Sequence, residues 1–161
     1  MSEDRPAGET VIRVGERKDA ATIADFNRRM AWETEHKVLV GPTVSRGVAR
    51  VFEDPTKGFY LVAETAGEVV GQLMVTFEWS DWRDGWFWWI QSVYVREDCR
   101  RQGLFRRLMT AVIDRAKDAG DVVGIRLYVE RDNEKALATY RGLGMHDAGY
   151  AVQELMLPGG R

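Results

Sequence analysis

The stretch RRQGLFRR, Arg100 to Arg107, places four arginines around a single glycine. Such a segment is suited to an anion, because guanidinium groups pair with phosphate oxygens and a glycine lets backbone N–H groups approach closely. A nucleic acid backbone and the phosphates of a small cofactor are both candidates. A second chemical grouping lies upstream, where Glu78, Trp79, Asp81 and Trp82 fall within five residues. Carboxylates beside indole faces suit an amine cation, by charge and by cation–π attraction; a hairpin packed on the core is the competing account. Cys99 is the only cysteine, and His36 and His146 are isolated from it in sequence. Neither an internal disulfide nor a Cys/His zinc site is expected, so no metal is assigned.

These residues must be held by a fold, and composition limits which one. A chain of 161 residues, 45% of them apolar, reads as one domain over 1–161 with enough core to stand without staples, residues 1–10 forming a flexible lead-in. Twenty-three basic against 25 acidic residues leave a formal charge of -2, which weakens nucleic-acid binding. The start, MSEDRPAGET, has no apolar signal segment, and no apolar run reaches membrane-spanning length. The expectation is a soluble cytoplasmic protein with neither nucleic acid nor membrane as partner.

Periodicity then orders the elements. Val11 to Val14 alternates as a strand, Asp19 to Glu35 and Thr43 to Phe52 read as helices, and Asp54-Pro55 ends the second. Three β-rich runs, Gly58 to Glu64, Val69 to Glu78 and Trp86 to Val95, are separated by turn residues and predict an antiparallel meander. Asp84-Gly85 marks the second turn, where glycine is expected to supply positive φ. Phe105, Leu108, Met109, Val112 and Ala116 form one apolar stripe of a helix that starts at Leu104 and closes at Gly120. Val122 to Val129 predicts a strand, Asn133 to Arg141 a helix, and His146 to Leu157 one or two closing strands. The whole is an α/β chain of α+β type, with a mixed, mostly antiparallel central sheet flanked by helices. Five of the six tryptophans fall between Trp79 and Trp89, and alternation sends Trp86 and Trp88 to one face, Phe87 and Trp89 to the other.

The loop's context favours the cofactor. A strand ending VYV leads through REDC into RRQG and directly onto a helix, whose first N–H groups and positive dipole end suit a pyrophosphate. Neither GxGxxG nor GxxxxGK[ST] occurs. Arg100-Arg101-Gln102-Gly103-Leu104-Phe105 resembles the R/Q-x-x-G-x-G/A loop of the GNAT superfamily of acyl-CoA N-acyltransferases, departing from it at Phe105. LYVERDNEKALATYRGLGM resembles the second GNAT signature, with Asn133, Ala136 and Tyr140 on one helical face. An N-cap for Asn133 and a core position for Tyr140 are the alternatives.

The resemblance implies acetyl-CoA as co-substrate and direct attack of an amine on its thioester. It implies that Val93, Tyr94 and Val95 meet the pantetheine arm, with a backbone N–H near Val93 for the oxyanion. Arg100, Arg101, Gln102, Gly103, Leu104, Phe105 and Arg106 would meet the phosphates, Asn133 and Ala136 would line the arm, and Tyr140 would be the acid. Where relatives carry a glutamate base this sequence has Trp89 and Gln91. Glu78 is the first choice of base, with Asp81, Glu33, Glu35 or a water chain as alternatives; Glu33, Glu35, Trp79, Asp81 and Trp82 are the candidate acceptor residues.

Two readings follow. The first is an N-acetyltransferase acting on a primary amine of a small molecule or peptide; the second is an acyl-CoA-binding sensor or interaction module without turnover. The acceptor is not legible, and a homodimer is left open.

Overall fold

The computed structural model describes residues 8–160; residues 1–7, which hold most of the expected lead-in, and residue 161 lie outside it. The described chain forms β1 (Thr10–Val14), α1 (Ala20–Glu35), α2 (Gly41–Glu53), β2 (Phe59–Thr65), β3 (Glu68–Ser80), β4 (Gly85–Val95), α3 (Leu104–Ala119), β5 (Val122–Leu127) and α4 (Glu134–Gly142). It divides into two units after Leu127. In the first, one sheet has the order β1-β2-β3-β4-β5. The first four strands are antiparallel neighbours, and β5 runs parallel to β4. No hairpin can connect parallel neighbours, so α3 serves as the crossover. The sheet is mixed and mostly antiparallel, as the order of periodicities predicts.

Alternation along the strands divides the core. Leu73 and Val75 of β3 are fully buried on the face they share with Gly71. A Cβ at Gly71 would stand 3.5 Å from the Leu108 side chain of α3. On the other face Tyr60 and Val62 pack with Ile23 and Ala24 of α1 and Val48 and Val51 of α2. There the buried Gln72 donates from Nε2 to Asn27 Oδ1 (3.1 Å) and to Ser92 Oγ (3.3 Å), which ties α1 to β3 and β4. Arg13 of β1 bonds both oxygens of Asp19 (2.8 and 3.0 Å) and reaches Glu64 (2.7 Å). Burial works to raise the Asp19 pKa, but the guanidinium overrides it and holds the carboxyl below its usual range.

Three expectations need correction. The inward stripe of α3 begins at Leu104, which is buried with Leu108, Met109, Val112 and Ala116, while Phe105 is half-buried on the flank. Leu104, Leu108 and Val112 recur every four residues and so keep the same face. At the β3–β4 turn, Asp84 rather than Gly85 takes positive φ. Gly85 is needed for space, since a Cβ there would press on Val123 Cγ1 at 2.5 Å and the Asp121 carbonyl at 2.9 Å. Finally, 146–157 forms no strand, and Tyr150 and Leu155 are 80% and 85% exposed. Alternating apolar residues describe one face of a strand; the strand itself requires ladder partners, and this segment has none among the described residues.

The second unit, taken alone, contains α4, with Asn133 as its N-cap: Oδ1 accepts from the Ala136 N–H at 3.1 Å.

Leu73 sits in the middle of the central strand with no exposure. Leu73→Ala is expected to cost about 2–5 kcal/mol by urea denaturation; a loss below ~1 kcal/mol would mean that the β3–α3 packing is looser than described.

Candidate functional site

The site begins with one extra residue. Met74 of β3 pairs with Ser92 of β4, whereas Val75 pairs with Ile90, so Gln91 is a bulge on β4. On the opposite side, the pairing of β4 with β5 ends at Ile90 and Leu127. From Gln91 to Val95 β4 therefore has β3 on one side and no strand on the other among the described residues. Arg96 N–H bonds the Val70 carbonyl at 2.8 Å, which fixes the alternation: Tyr94 and Ser92 turn their backbone groups to β3, and Val95 and Val93 turn theirs to the open side. Here the bulge and the parted strands expose backbone donors and acceptors suited to amides.

The opened edge runs directly into the arginine loop. Arg101 and Gly103 both take left-handed backbone (φ 63° and 75°), and α3 starts at Leu104 with no side chain capping it. The first N–H groups of a helix have no intrahelical acceptor, and left-handed residues ahead of them curl the backbone into an anion-binding concavity. A Cβ at Gly103 would meet nothing within 4 Å, so the space above it is open to a ligand. A hollow of about 420 Å³ adjoins it, lined by Ile12, Gly103, Arg106 and Arg107 among others. Arg107 is committed to the Thr10 carbonyl at 2.7 Å. Arg101 and Arg106 make neither an ion pair nor a side-chain hydrogen bond among the described residues, leaving two unengaged guanidinium groups beside the concavity. The residues present therefore fit a pyrophosphate.

Arg100 is used differently. Its Nε donates to the Val95 carbonyl (2.8 Å) and its Nη2 to Glu33 Oε2 (2.6 Å), with the guanidinium 5.4 Å from the centre of the Tyr94 ring. Glu33 Oε1 accepts from the Tyr94 hydroxyl at 3.1 Å. Burial pushes the Tyr94 phenol up, and the neighbouring Glu33 charge adds to it. Both Glu33 oxygens thus point at the loop and β4. Sequence reasoning missed this cluster because Glu33 and Arg100 are 67 residues apart and no local pattern links them.

The remaining candidates stand elsewhere. Glu78 lies opposite Phe87, and its Oε2 accepts from Trp89 Nε1 (3.1 Å) and Arg126 Nη1 (2.9 Å), with Arg126 stacked 3.6 Å from the Phe87 ring centre. Phe87 and Val93 are six residues apart along β4, roughly 20 Å at strand rise, so the structure does not bring Glu78 to the opened edge. Trp79, Asp81 and Trp82 are at the same hairpin tip, Trp79 edge-on to Trp86 at 5.0 Å and Trp82 86% exposed. Glu35 ends α1, exposed. In the second unit Tyr140 is half-buried on α4, and burial pushes its phenol up. Among the described residues no His, Cys, Asp or Glu cluster could hold a metal, and no helix is long and apolar enough to cross a membrane.

Known proteins of similar sequence and structure identify the family. Residues 19–145 match the acetyltransferase (GNAT) family. The chain is 36% identical over 123 residues to the L-amino acid N-acyltransferase MnaT of Escherichia coli, covering 74% of this chain and 59% of that protein. It is 29% identical over 140 residues to the mycothiol acetyltransferase of Corynebacterium aurimucosum, covering 84% and 46%. The chain thus spans about half the length of the curated relatives it matches. The crystal structure of a possible acetyltransferase from Clostridium difficile superposes with a TM-score of 0.87 at 42% identity, covering 92% of this chain and 97% of that one.

Gly103→Val would place a branched side chain in the open space above the loop, at a left-handed backbone position. Its expected effect is at least about tenfold weaker coenzyme A binding by calorimetry, and unchanged affinity would remove the loop as the phosphate cradle.

Proposed function

The chain belongs to the GNAT acetyltransferase family, and from that premise we propose that it transfers an acetyl group from acetyl-CoA to a primary amine of a small molecule or peptide. The observation that carries the reading is the unbroken path from the opened edge at Val93 and Val95, through the left-handed residues Arg101 and Gly103, to the uncapped start of α3. That path offers amide-pairing groups and then phosphate-pairing groups, in the order in which a pantetheine arm and a pyrophosphate follow one another. The family match runs from 19 to 145, across both units, which supports reading the chain as one domain. The L-amino acid acyltransferase among its relatives supports an amino acid as the first acceptor to try.

In the proposed reaction the amine nitrogen bonds the acetyl carbon, the carbon–sulfur bond breaks, and the thiolate takes a proton. The Val93 N–H, aimed at the open side of β4, is the donor for the oxygen on which charge develops. Val93 C=O and the Val95 N–H hold the pantetheine arm, while Arg101, Gln102, Gly103, Leu104, Phe105 and Arg106 surround the phosphates. Tyr140 is the proton donor to sulfur, with Asn133 and Ala136 at the start of its helix. Burial raises its pKa, so it stays protonated at neutral pH, as an acid must. Glu78 lies too far along the strand to take the proton from an amine at Val93 and is occupied by Arg126 and Trp89. The ammonium proton is therefore assigned to water in the opening.

Titration with acetyl-CoA followed by a thiol-release assay over an amine panel tests the reading. Saturable binding with release supports it, and binding without release across the panel would favour a sensor. Tyr140→Phe is expected to lower turnover by about a hundredfold or more with acetyl-CoA affinity nearly unchanged. Activity needs the protonated phenol and so is lost as pH rises through its pKa, which lies above the ordinary value of about 10. An alkaline limb well below pH ~10 that disappears in Tyr140→Phe would contradict the assignment.

A further inference from the structure

The first arginine of the loop is turned away from the concavity it introduces. Arg100 spends its Nε on the Val95 carbonyl and its Nη2 on Glu33, and Glu33 spends its other oxygen on Tyr94. We propose that Glu33 is a positioning residue for acyl-CoA: through Arg100 it masks the Val95 carbonyl and locks the end of β4 to α1, leaving Val93 and the Val95 N–H as the backbone groups offered to the pantetheine arm. The inference rests on the acetyl-CoA reading above.

Four observations support it. Val93 and Val95 are the two residues of the opened segment whose backbone groups face away from β3, and Arg100 covers one of their two carbonyls. The Glu33 charge compensates Arg100, whereas Arg101, Arg106 and Arg107 have no carboxylate partner among the described residues and leave their positive charge at the loop and the start of α3. Both members of the ion pair are partly exposed, at 40% and 37%, and such a pair contributes little to global stability; its consequence is geometric. Finally, Glu33 lies in the last turn of α1, while Gln72 ties the middle of that helix to β4 through Asn27 and Ser92. Two attachments along one helix fix its orientation against the strand, and the Glu33 attachment is the one that touches the loop.

The test is a double-mutant cycle on Glu33→Gln, Arg100→Met and their combination, with acetyl-CoA affinity read by calorimetry. Adenosine 3′-phosphate 5′-diphosphate, which carries the phosphates without the pantetheine arm, serves as a competitor. Each single variant is expected to bind acetyl-CoA about tenfold more weakly, as for a charge-assisted bond. The double variant should be no weaker than either single one, because the two side chains act as one unit. Binding of the competitor should stay within about twofold of wild type. Unchanged acetyl-CoA affinity in Glu33→Gln overturns the proposal, as do multiplying losses in the double variant. Equal losses for acetyl-CoA and the competitor in Arg100→Met would instead make Arg100 a phosphate ligand and also overturn it. If the wild type itself binds no acetyl-CoA, the functional reading fails, and this inference with it; wild-type binding with indifferent variants rejects the inference alone. Should Arg100→Met fail to fold, Glu33→Gln, which keeps the shape of the side chain, decides with the two ligands by itself.

Discussion

One extra residue in β4 governs the geometry of this protein. Gln91 bulges between Ile90, still in register with Val75, and Ser92, in register with Met74. An added residue in one strand bends it and increases its twist, and it is at this point that β5 ceases to follow β4. Had the two strands remained paired to Val95, the outward N–H and C=O groups of Val93 and Val95 would have been consumed by a ladder. Because they part, the end of β4 presents outward backbone groups that no strand pairs with among the described residues, the Val95 carbonyl being taken by Arg100. The loop and α3 then receive whatever lies along that edge.

The four arginines of RRQGLFRR illustrate why charge counting alone is a weak guide to binding. Arg100 folds back on Val95 and Glu33, and Arg107 reaches across to the Thr10 carbonyl on β1. Of the four, Arg101 and Arg106 have neither an ion pair nor a side-chain hydrogen bond among the described residues. Two of the four arginines are therefore held by bonds within the fold, and the two unengaged guanidinium groups lie where Gly103 and the helix start provide directional N–H groups. A site of this kind selects an anion by shape as well as by charge, whereas an extended nucleic acid backbone calls for a broad basic face.

Much of this was legible in the sequence, for physical reasons that also explain what was not. The meander and α3 were readable because their signal is local: a period of two ended by turns, and a period near 3.6 ended by glycine. The family loop was readable because left-handed backbone and a helix start need particular residues at adjacent positions. Leu104 instead of Phe105 as the inward residue was lost because either position fits the stripe within one residue. Gly85 was assigned the right location for the wrong reason, since a steric conflict with Val123 on another strand leaves no trace in a dipeptide. The clusters of Glu33 with Arg100 and of Glu78 with Arg126 were not legible at all: each joins residues tens of positions apart, and their partners could be chosen only once the sheet had set the register.

The same long-range pairing decides where the amine of the proposed reaction would lose its proton. Of the carboxylates that the sequence offers as bases, Glu78 and Glu33 are held in ion pairs, Asp81 lies at the hairpin tip and Glu35 is exposed at the end of α1. Glu78 accepts from both an indole and a guanidinium, and Glu33 from a phenol and a guanidinium. At the β4 bulge, Gln91 donates to Thr76 Oγ1 at 2.6 Å, and its neutral amide cannot abstract a proton. In the proposed acetyl transfer, an acceptor amine would then have to reach the opening already deprotonated for a fraction of the time, and the rate at neutral pH would rise with pH as the free-amine fraction does.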